Sequence, residues 1–486
     1  MVRTAGGTLF GSVALDPTGG PLFRQIYRMI RSAILDGRLE PGTRLPSTRT
    51  LARDLSISRT TAEEVYAQLR AEGFIERRVG AGSFVAAIET VRAPHRAQPP
   101  AAAAGVRRIS RHTEAVARLA GFPDPVVPRA FTACTAAVDA FPRAVWRSIM
   151  ARCLRRFGDQ AYRAGDPAGY GPLREAIASY LNAARGVVCT PEQVVVLTSS
   201  QQALDLAARL LVEPGEPVWV EDPGYPGARA ALAAHGGRLV PVPVDADGML
   251  VEEGVRRAPQ ARLAYVTPSH QFPLGTTLSL ERRLALLEWA SREGAWILED
   301  DYDSEFRYDG RPLAAIQGLD RDRRVIYVGT FTKVLFSAVR VAYAVLPHDL
   351  VKPFVTARRL VDGFTPTLTQ MGIAEFFAGG HFGVHVRRMR ELYRERRDAL
   401  VEAADRWLPG DVRLGPVITG LHAVAYLPDG SDDRAASDRA AREGIDARPI
   451  SRYQLGEPSR PALFLGYAAL TPTEIREGIR TLSRAL

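Results

Sequence analysis

From about residue 126 onward, short apolar runs alternate with amphipathic stretches, and this alternation limits the fold more than any other feature of the chain. The runs fall at 194–198, 217–221, 263–267, 295–299, 325–329 and 341–346, with helical patterns such as 280–291 between them. Runs this short, apolar on both faces and spaced by helices, predict an α/β layer around a mainly parallel sheet. After about residue 370 the pattern changes. A long Arg-rich helix is predicted over 382–404, followed by short strands and a last helix, which together read as a smaller α+β domain.

The polar residues gather where these runs end, which is where open α/β sheets place their ligands. Run 194–198 leads into Ser199-Ser200-Gln201-Gln202 and a helix start, whose unpaired N–H groups suit an anion. Run 295–299 leads into Asp300-Asp301-Tyr302-Asp303. Run 325–329 leads into Thr330-Phe331-Thr332-Lys333, with Arg340 seven residues on. Lys333 is one of only two lysines, against 61 arginines. Coding bias explains the scarcity, but a retained lysine can form an imine, which arginine cannot. The other lysine, Lys352, lies outside any such context. Each feature alone is ordinary. Together, an imine-forming amine, a carboxylate for a pyridinium N–H, a phenol and a phosphate cup match pyridoxal 5′-phosphate chemistry.

The N-terminal part has a different character. Residues 1–120 hold 18 Arg and 10 acidic residues, a net +8 of the chain's +9. A positive field confined to one end is a nucleic-acid footprint. Leu22, Ile26, Ile30 and Ile34 repeat every four residues and predict a first helix. Ser47 and Ser58 are placed to cap two more, and 74–85 reads as two short strands about a Gly turn. Three helices and a hairpin make a winged helix-turn-helix. Its third helix starts Ser58-Arg59-Thr60-Thr61, the end that enters a major groove. Arg77 and Arg78 beside the turn suit the DNA backbone or minor groove. Between the two regions, 88–125 is rich in Arg, Ala and Pro and reads as a linker.

The segment 18–87 resembles the DNA-binding domain of GntR-type bacterial regulators, through Pro41-Gly42, Leu45-Pro46-Ser47-Thr48-Arg49, Ser58-Arg59-Thr60-Thr61, Tyr66, Leu69, Gly73 and the Gly80/Gly82 wing. The resemblance implies that Arg49, Arg59, Thr60 and Gly80 contact double-stranded DNA. Residues 126–486 resemble fold-type I aminotransferases, with the smaller domain at about 370–486. The matching motifs are Asp166-Pro167-Ala168-Gly169-Tyr170, Glu221-Asp222-Pro223-Gly224-Tyr225, Pro268-Ser269-His270-Gln271-Phe272-Pro273-Leu274-Gly275 and the two strand-end clusters above. This implies Lys333 as the Schiff-base residue, Asp300 on the pyridine nitrogen, Tyr302 on O3′ and Tyr225 on the ring face. Ser200, Gln201, Thr330, Thr332 and Arg340 are implied to hold the phosphate.

Taken in order, the two halves resemble the MocR/GabR group of regulators. The group implies a domain-swapped homodimer that senses the cofactor or an amine effector. The alternative is a working aminotransferase with a DNA-binding tether; a nonspecific DNA binder is a third reading. There are departures. Phe272 stands where aminotransferases have Asn, and His270 or Gln271 is placed to take over its contact. Arg460 is the candidate for the late arginine that forks a substrate carboxylate, one residue out of place. Gly227 stands where GABA-responsive members have Arg, with Arg229 nearest. The effector therefore stays open. No long apolar run, signal peptide or metal-ligand spacing is found, and Cys134, Cys153 and Cys189 read as core residues of a cytoplasmic protein.

Overall fold

A computed structural model of the chain describes residues 3–7, 11–15, 20–87, 110–119, 129–133, 135–309, 314–456 and 460–486. It divides into two compact units, Met1–Arg108 and Ile109–Leu486. Among the described residues, no helix is long and apolar enough to cross a membrane. Cys153 is buried and Cys189 half-buried; Cys134 lies outside the described residues.

In the first unit, helices Leu22–Leu35, Thr48–Asp54 and Arg59–Ala71 pack around Ile26, Ile30, Ile34, Leu51, Val65 and Leu69. Leu22, the first residue of its stripe, is exposed, because a first-turn side chain overhangs the end of the helix. Both predicted caps form. Ser47 Oγ accepts the Thr50 N–H at 3.1 Å, and Ser58 Oγ accepts the Thr61 N–H at 3.0 Å. Strands Ile75–Arg78 and Gly82–Val85 pair antiparallel as the wing. Gly80 turns between them at φ +77°, a conformation that side chains resist. An additional hairpin, Arg3–Gly7 with Gly11–Leu15, precedes the helices.

The second unit is built on an eight-stranded sheet. Its spatial order is Val194–Leu197, Ala342–Val345, Val325–Thr330, Trp296–Asp301, Leu263–Val266, Pro217–Asp222, Arg238–Asp245, Gly248–Met249. The central strands are parallel; Ala342–Val345 runs antiparallel to both its neighbours. All six predicted runs are strands. The last two strands of the order were not read from the sequence, because Pro241 and Pro243 break the apolar run. Successive residues face opposite layers: Val218 and Val220 pack with helices Ser200–Leu211 and His348–Asp362, while Trp219 packs with Leu280–Glu293.

The C-terminal part is a four-stranded antiparallel sheet, Arg413–Leu414, His422–Tyr426, Ala462–Gly466 and Arg448–Pro449. Helix Pro472–Ala485 packs against the long helix His381–Trp407. Helix Arg111–Leu119 falls inside the segment read as a linker and rests on helix Pro226–Ala234. The remainder of that segment, 88–109 and 120–125, lies outside the described residues.

Candidate cofactor and DNA sites

The C-terminal ends of five parallel strands converge on one cavity of about 360 Å³. Its walls include Gln201, Tyr225, Gly227, Asp300, Tyr302 and Lys333, each from a strand end or helix start. Strand alternation sorts the acidic cluster. Glu299 points to one face and accepts the Ile316 and Gln317 N–H groups at 2.9 Å. Asp301 points the same way, bonding Arg185 at 2.8 Å and the Tyr327 hydroxyl at 2.7 Å. Of the three, only Asp300, on the opposite face, reaches the cavity.

Asp300 is buried. Its Oδ2 accepts the Tyr265 hydroxyl at 2.9 Å, while Oδ1 has no hydrogen-bond partner among the described residues. Burial pushes its carboxyl up to about 7, against the Tyr265 hydrogen bond; Asp301 and Asp303 add to the rise and Lys333 opposes it. A buried carboxylate with one unmet oxygen, in the same cavity as a lysine, fits a protonated ring nitrogen.

Gln201 Nε2 donates to the Gly227 carbonyl at 2.8 Å, and the Tyr225 hydroxyl donates to Gln201 Oε1 at 3.4 Å. A Cβ on Gly227 would lie 2.4 Å from Gln201 Oε1 and 2.5 Å from the Tyr225 ring. Ser199, not Ser200, caps the helix by accepting the Gln202 N–H at 3.2 Å. The hydroxyls of Thr330 and Thr332 lie 2.8 Å apart at the strand end before Lys333. Ser200, Thr330, Thr332, Arg340 and His270 are not part of the cavity wall. Arg340 is exposed, with a left-handed backbone at φ 48°. His270 is buried behind Tyr302, whose hydroxyl lies 3.2 Å from His270 Nδ1.

Arg460 stands away from the cavity. Its guanidinium is half-exposed, 3.7 Å from Asp429 and over the Tyr426 ring. Arg448 lines the cavity instead, buried beside Asp446. Arg229 is a structural residue, buried against Asp222 and the carbonyls of Glu221 and Tyr453. Burial lowers it to about 10. Sequence reasoning missed Tyr265, Phe272, Arg448 and Tyr453 as cavity residues. Tyr265 looks like one more apolar strand residue, and Arg448 belongs to a two-residue strand with no motif of its own.

On the first unit, Arg59 and Arg77 line a polar groove with Arg44, Ser47, Thr48 and Arg70. Arg49, Ser58, Thr60 and Gly80 are exposed outside it. Ser58 and Thr61 are tied to each other by the cap. Arg59 lies 2.9 Å from Glu63 one turn along, and Arg78 bonds Glu76.

A winged helix carried by the same chain as an aminotransferase-fold unit with a lysine–aspartate cavity defines a regulator built from a cofactor enzyme's fold. Residues 22–85 match the model of bacterial regulatory proteins of the gntR family, and 132–482 match aminotransferase class I and II. The chain belongs to the MocR-type transcriptional regulators of this family. It is 39% identical over 473 residues to the probable rhizopine catabolism regulatory protein MocR of Rhizobium meliloti, covering 96% of this chain and 94% of that protein. It is 31% identical to the pyridoxine biosynthesis regulator PdxR of Corynebacterium glutamicum, covering 97% of each. Among solved structures it resembles LysN, the α-aminoadipate aminotransferase of Thermus thermophilus, complexed with N-(5′-phosphopyridoxyl)-L-leucine. That match has a TM-score of 0.69 and 31% identity over 77% of this chain and 94% of LysN. Pyridoxal 5′-phosphate is the cofactor of this class of domain, and the cavity's amine, carboxylate and phenol fit it.

Proposed function

We propose that the large unit senses an amine effector, or the cofactor's own supply, and that the winged helix carries the result to promoter DNA in the cytoplasm. The observation that carries this reading is Lys333 sharing one cavity with the unmet oxygen of Asp300, in a chain whose other unit is a winged helix. When bound, the cofactor supplies an amine-reactive aldehyde carbon and visible absorption.

The chain's residues would divide the work of holding it. Lys333 supplies the amine, and Asp300 pairs with the ring nitrogen. Tyr302 meets the ring oxygen, and Tyr225 covers a ring face. Ser200 and Gln201, at a helix start, take the phosphate, with Thr330, Thr332 and Arg340 supporting them. Arg448, rather than Arg460, receives an effector carboxylate. Arg49, Arg59, Thr60, Arg77 and Gly80 approach DNA, with Ser58 and Thr61 holding the helix end in shape. A domain-swapped homodimer would present two such helices to paired half-sites. The effector changes DNA affinity only by as much as it prefers one of the protein's two states.

Replacing Lys333 with Ala tests the site: the purified protein should lose its visible cofactor absorption. Unchanged absorption would remove Lys333 from its role. The likeness to LysN favours one further reading, an aminotransferase with a DNA-binding tether. Sustained turnover with an amino donor and a keto acceptor would support that reading; conversion of a single cofactor equivalent would count against it.

A further inference from the structure

Behind Tyr302 lies a buried group of three side chains whose role no motif settles: Asp303, His270 and His422. Among the described residues it is the one His/Asp grouping with metal-like spacing. Its polar atoms are already engaged with one another and with the backbone. His270 Nδ1 lies 2.9 and 3.1 Å from the two Asp303 oxygens. His422 Nε2 lies 3.2 Å from the Pro273 carbonyl, and Asp303 Oδ2 also accepts the Leu421 N–H at 3.2 Å.

The geometry fixes the direction of these hydrogen bonds. A carboxylate only accepts, so Asp303 selects the His270 tautomer with its proton on Nδ1. Tyr302 Oη, 3.2 Å from the same nitrogen, is then a second acceptor of that N–H. Its own hydrogen must point elsewhere, and Tyr302 is a wall residue of the cavity. The imidazole cannot swing away. A Cβ on Gly420 would lie 1.9 Å from its Cε1, and one on Gly275 would lie 3.2 Å from its Nε2. The His422 ring stands 4.4 Å from it, centroid to centroid. Burial, His270 and Lys333 keep His422 well below the usual imidazole range, so it faces His270 as a neutral ring. Asp303 also bears on Tyr308, Tyr467 and Asp300, raising each of them.

We propose that Asp303 and His270 are positioning residues that turn the Tyr302 hydroxyl into the cavity as a fixed donor to the cofactor's ring oxygen. This string does the work that a side-chain amide in the position of Phe272 would otherwise share. The inference rests on Tyr302 meeting that oxygen.

A donated hydrogen bond stabilises the ionised ring oxygen, so losing the donor raises the pH at which the bound chromophore titrates. The experiment is an absorbance titration against pH of the full-length, cofactor-loaded protein. Tyr302→Phe should raise the midpoint by about one pH unit, the worth of one hydrogen bond to a charged group. Asp303→Asn and His270→Phe should move it the same way. His270→Asn, which keeps a donor near the Nδ1 position, should return the midpoint most of the way to the wild-type value. On a Tyr302→Phe background, none of these changes should move the midpoint further. Wild-type midpoints in Asp303→Asn and His270→Phe, or equal shifts with and without Tyr302, would overturn the proposal. Asp303→Asn, which keeps the side chain's size, decides the question if His270→Phe does not fold: a wild-type midpoint there overturns the proposal. Persistent absorption in Lys333→Ala would instead overturn the cofactor site itself, so the two failures are distinguishable.

Discussion

Two arginines twelve positions apart in the sequence divide between cavity and surface. Arg448 is held in the cavity wall by burial and Asp446, and Arg460 lies over Tyr426 in solvent. Replacing Arg448 with Ala should raise the concentration of a carboxylate-bearing amine needed to change the visible spectrum by about 10- to 100-fold, the loss of a charged hydrogen bond. Arg460→Ala should respond like the wild type. An amine without a carboxylate should be indifferent to both changes. If Arg460→Ala alone lost the response, the assignment would be reversed. The sequence order favours Arg460, because it stands before a legible apolar strand. Arg448 became visible only through the sheet, whose short edge strand Arg448–Pro449 pairs with Ala462–Gly466. By contrast Lys333, Asp300 and Tyr302 stand in motifs at or just after strand ends, from which the family resemblance singles them out, and all three line the cavity.

At the scale of elements, the third helix of the winged unit separates folding from reading. Ser58 commits its hydroxyl to the cap, whereas Arg59 is exposed and paired with Glu63 one turn along. Ser58→Ala should lower stability by about 1 kcal/mol with sequence preference kept. Arg59→Ala should leave stability nearly unchanged, since an exposed pair one turn apart contributes little. It should weaken binding to DNA upstream of the protein's own gene by about 1–3 kcal/mol, read by gel shift at fixed salt. Loss of stability in Arg59→Ala with no loss of binding would reverse these roles. The helices and the wing were legible because capping serines and glycine turns are local signals. The strands Arg238–Asp245 and Gly248–Met249 were not, since prolines hide the first and the second is two residues long. Helix Arg111–Leu119 was also hidden, because its composition matches the tether around it.

For the whole molecule, the site's burial has a pH signature. Burial raises Glu221, Glu299, Asp300 and Glu305 to about 7. Their unfolded values are about 4. Between those limits the folded protein holds protons that the unfolded chain releases. Stability from these groups is therefore full below about pH 4 and falls as pH rises towards 7. These four carboxyls should lower the melting temperature of the cofactor-free protein as pH rises from about 4 to about 7, opposed below about pH 6.5 by His385 and His422, which burial keeps neutral. Asp300→Asn should flatten part of that fall, and an unchanged slope would place the protons on other groups.

Gly227 carries a consequence for how such a receptor changes its preference. A side chain there collides at once with Gln201 and Tyr225, two residues that also hold each other. With Gln201 and Tyr225 in the cofactor-holding roles proposed above, a single mutation at this point of the wall would disturb that support before it could create a new contact. A larger residue at this wall therefore requires Gln201 and Tyr225 to give way together, so effector preference and the grip on the cofactor cannot be altered there one at a time.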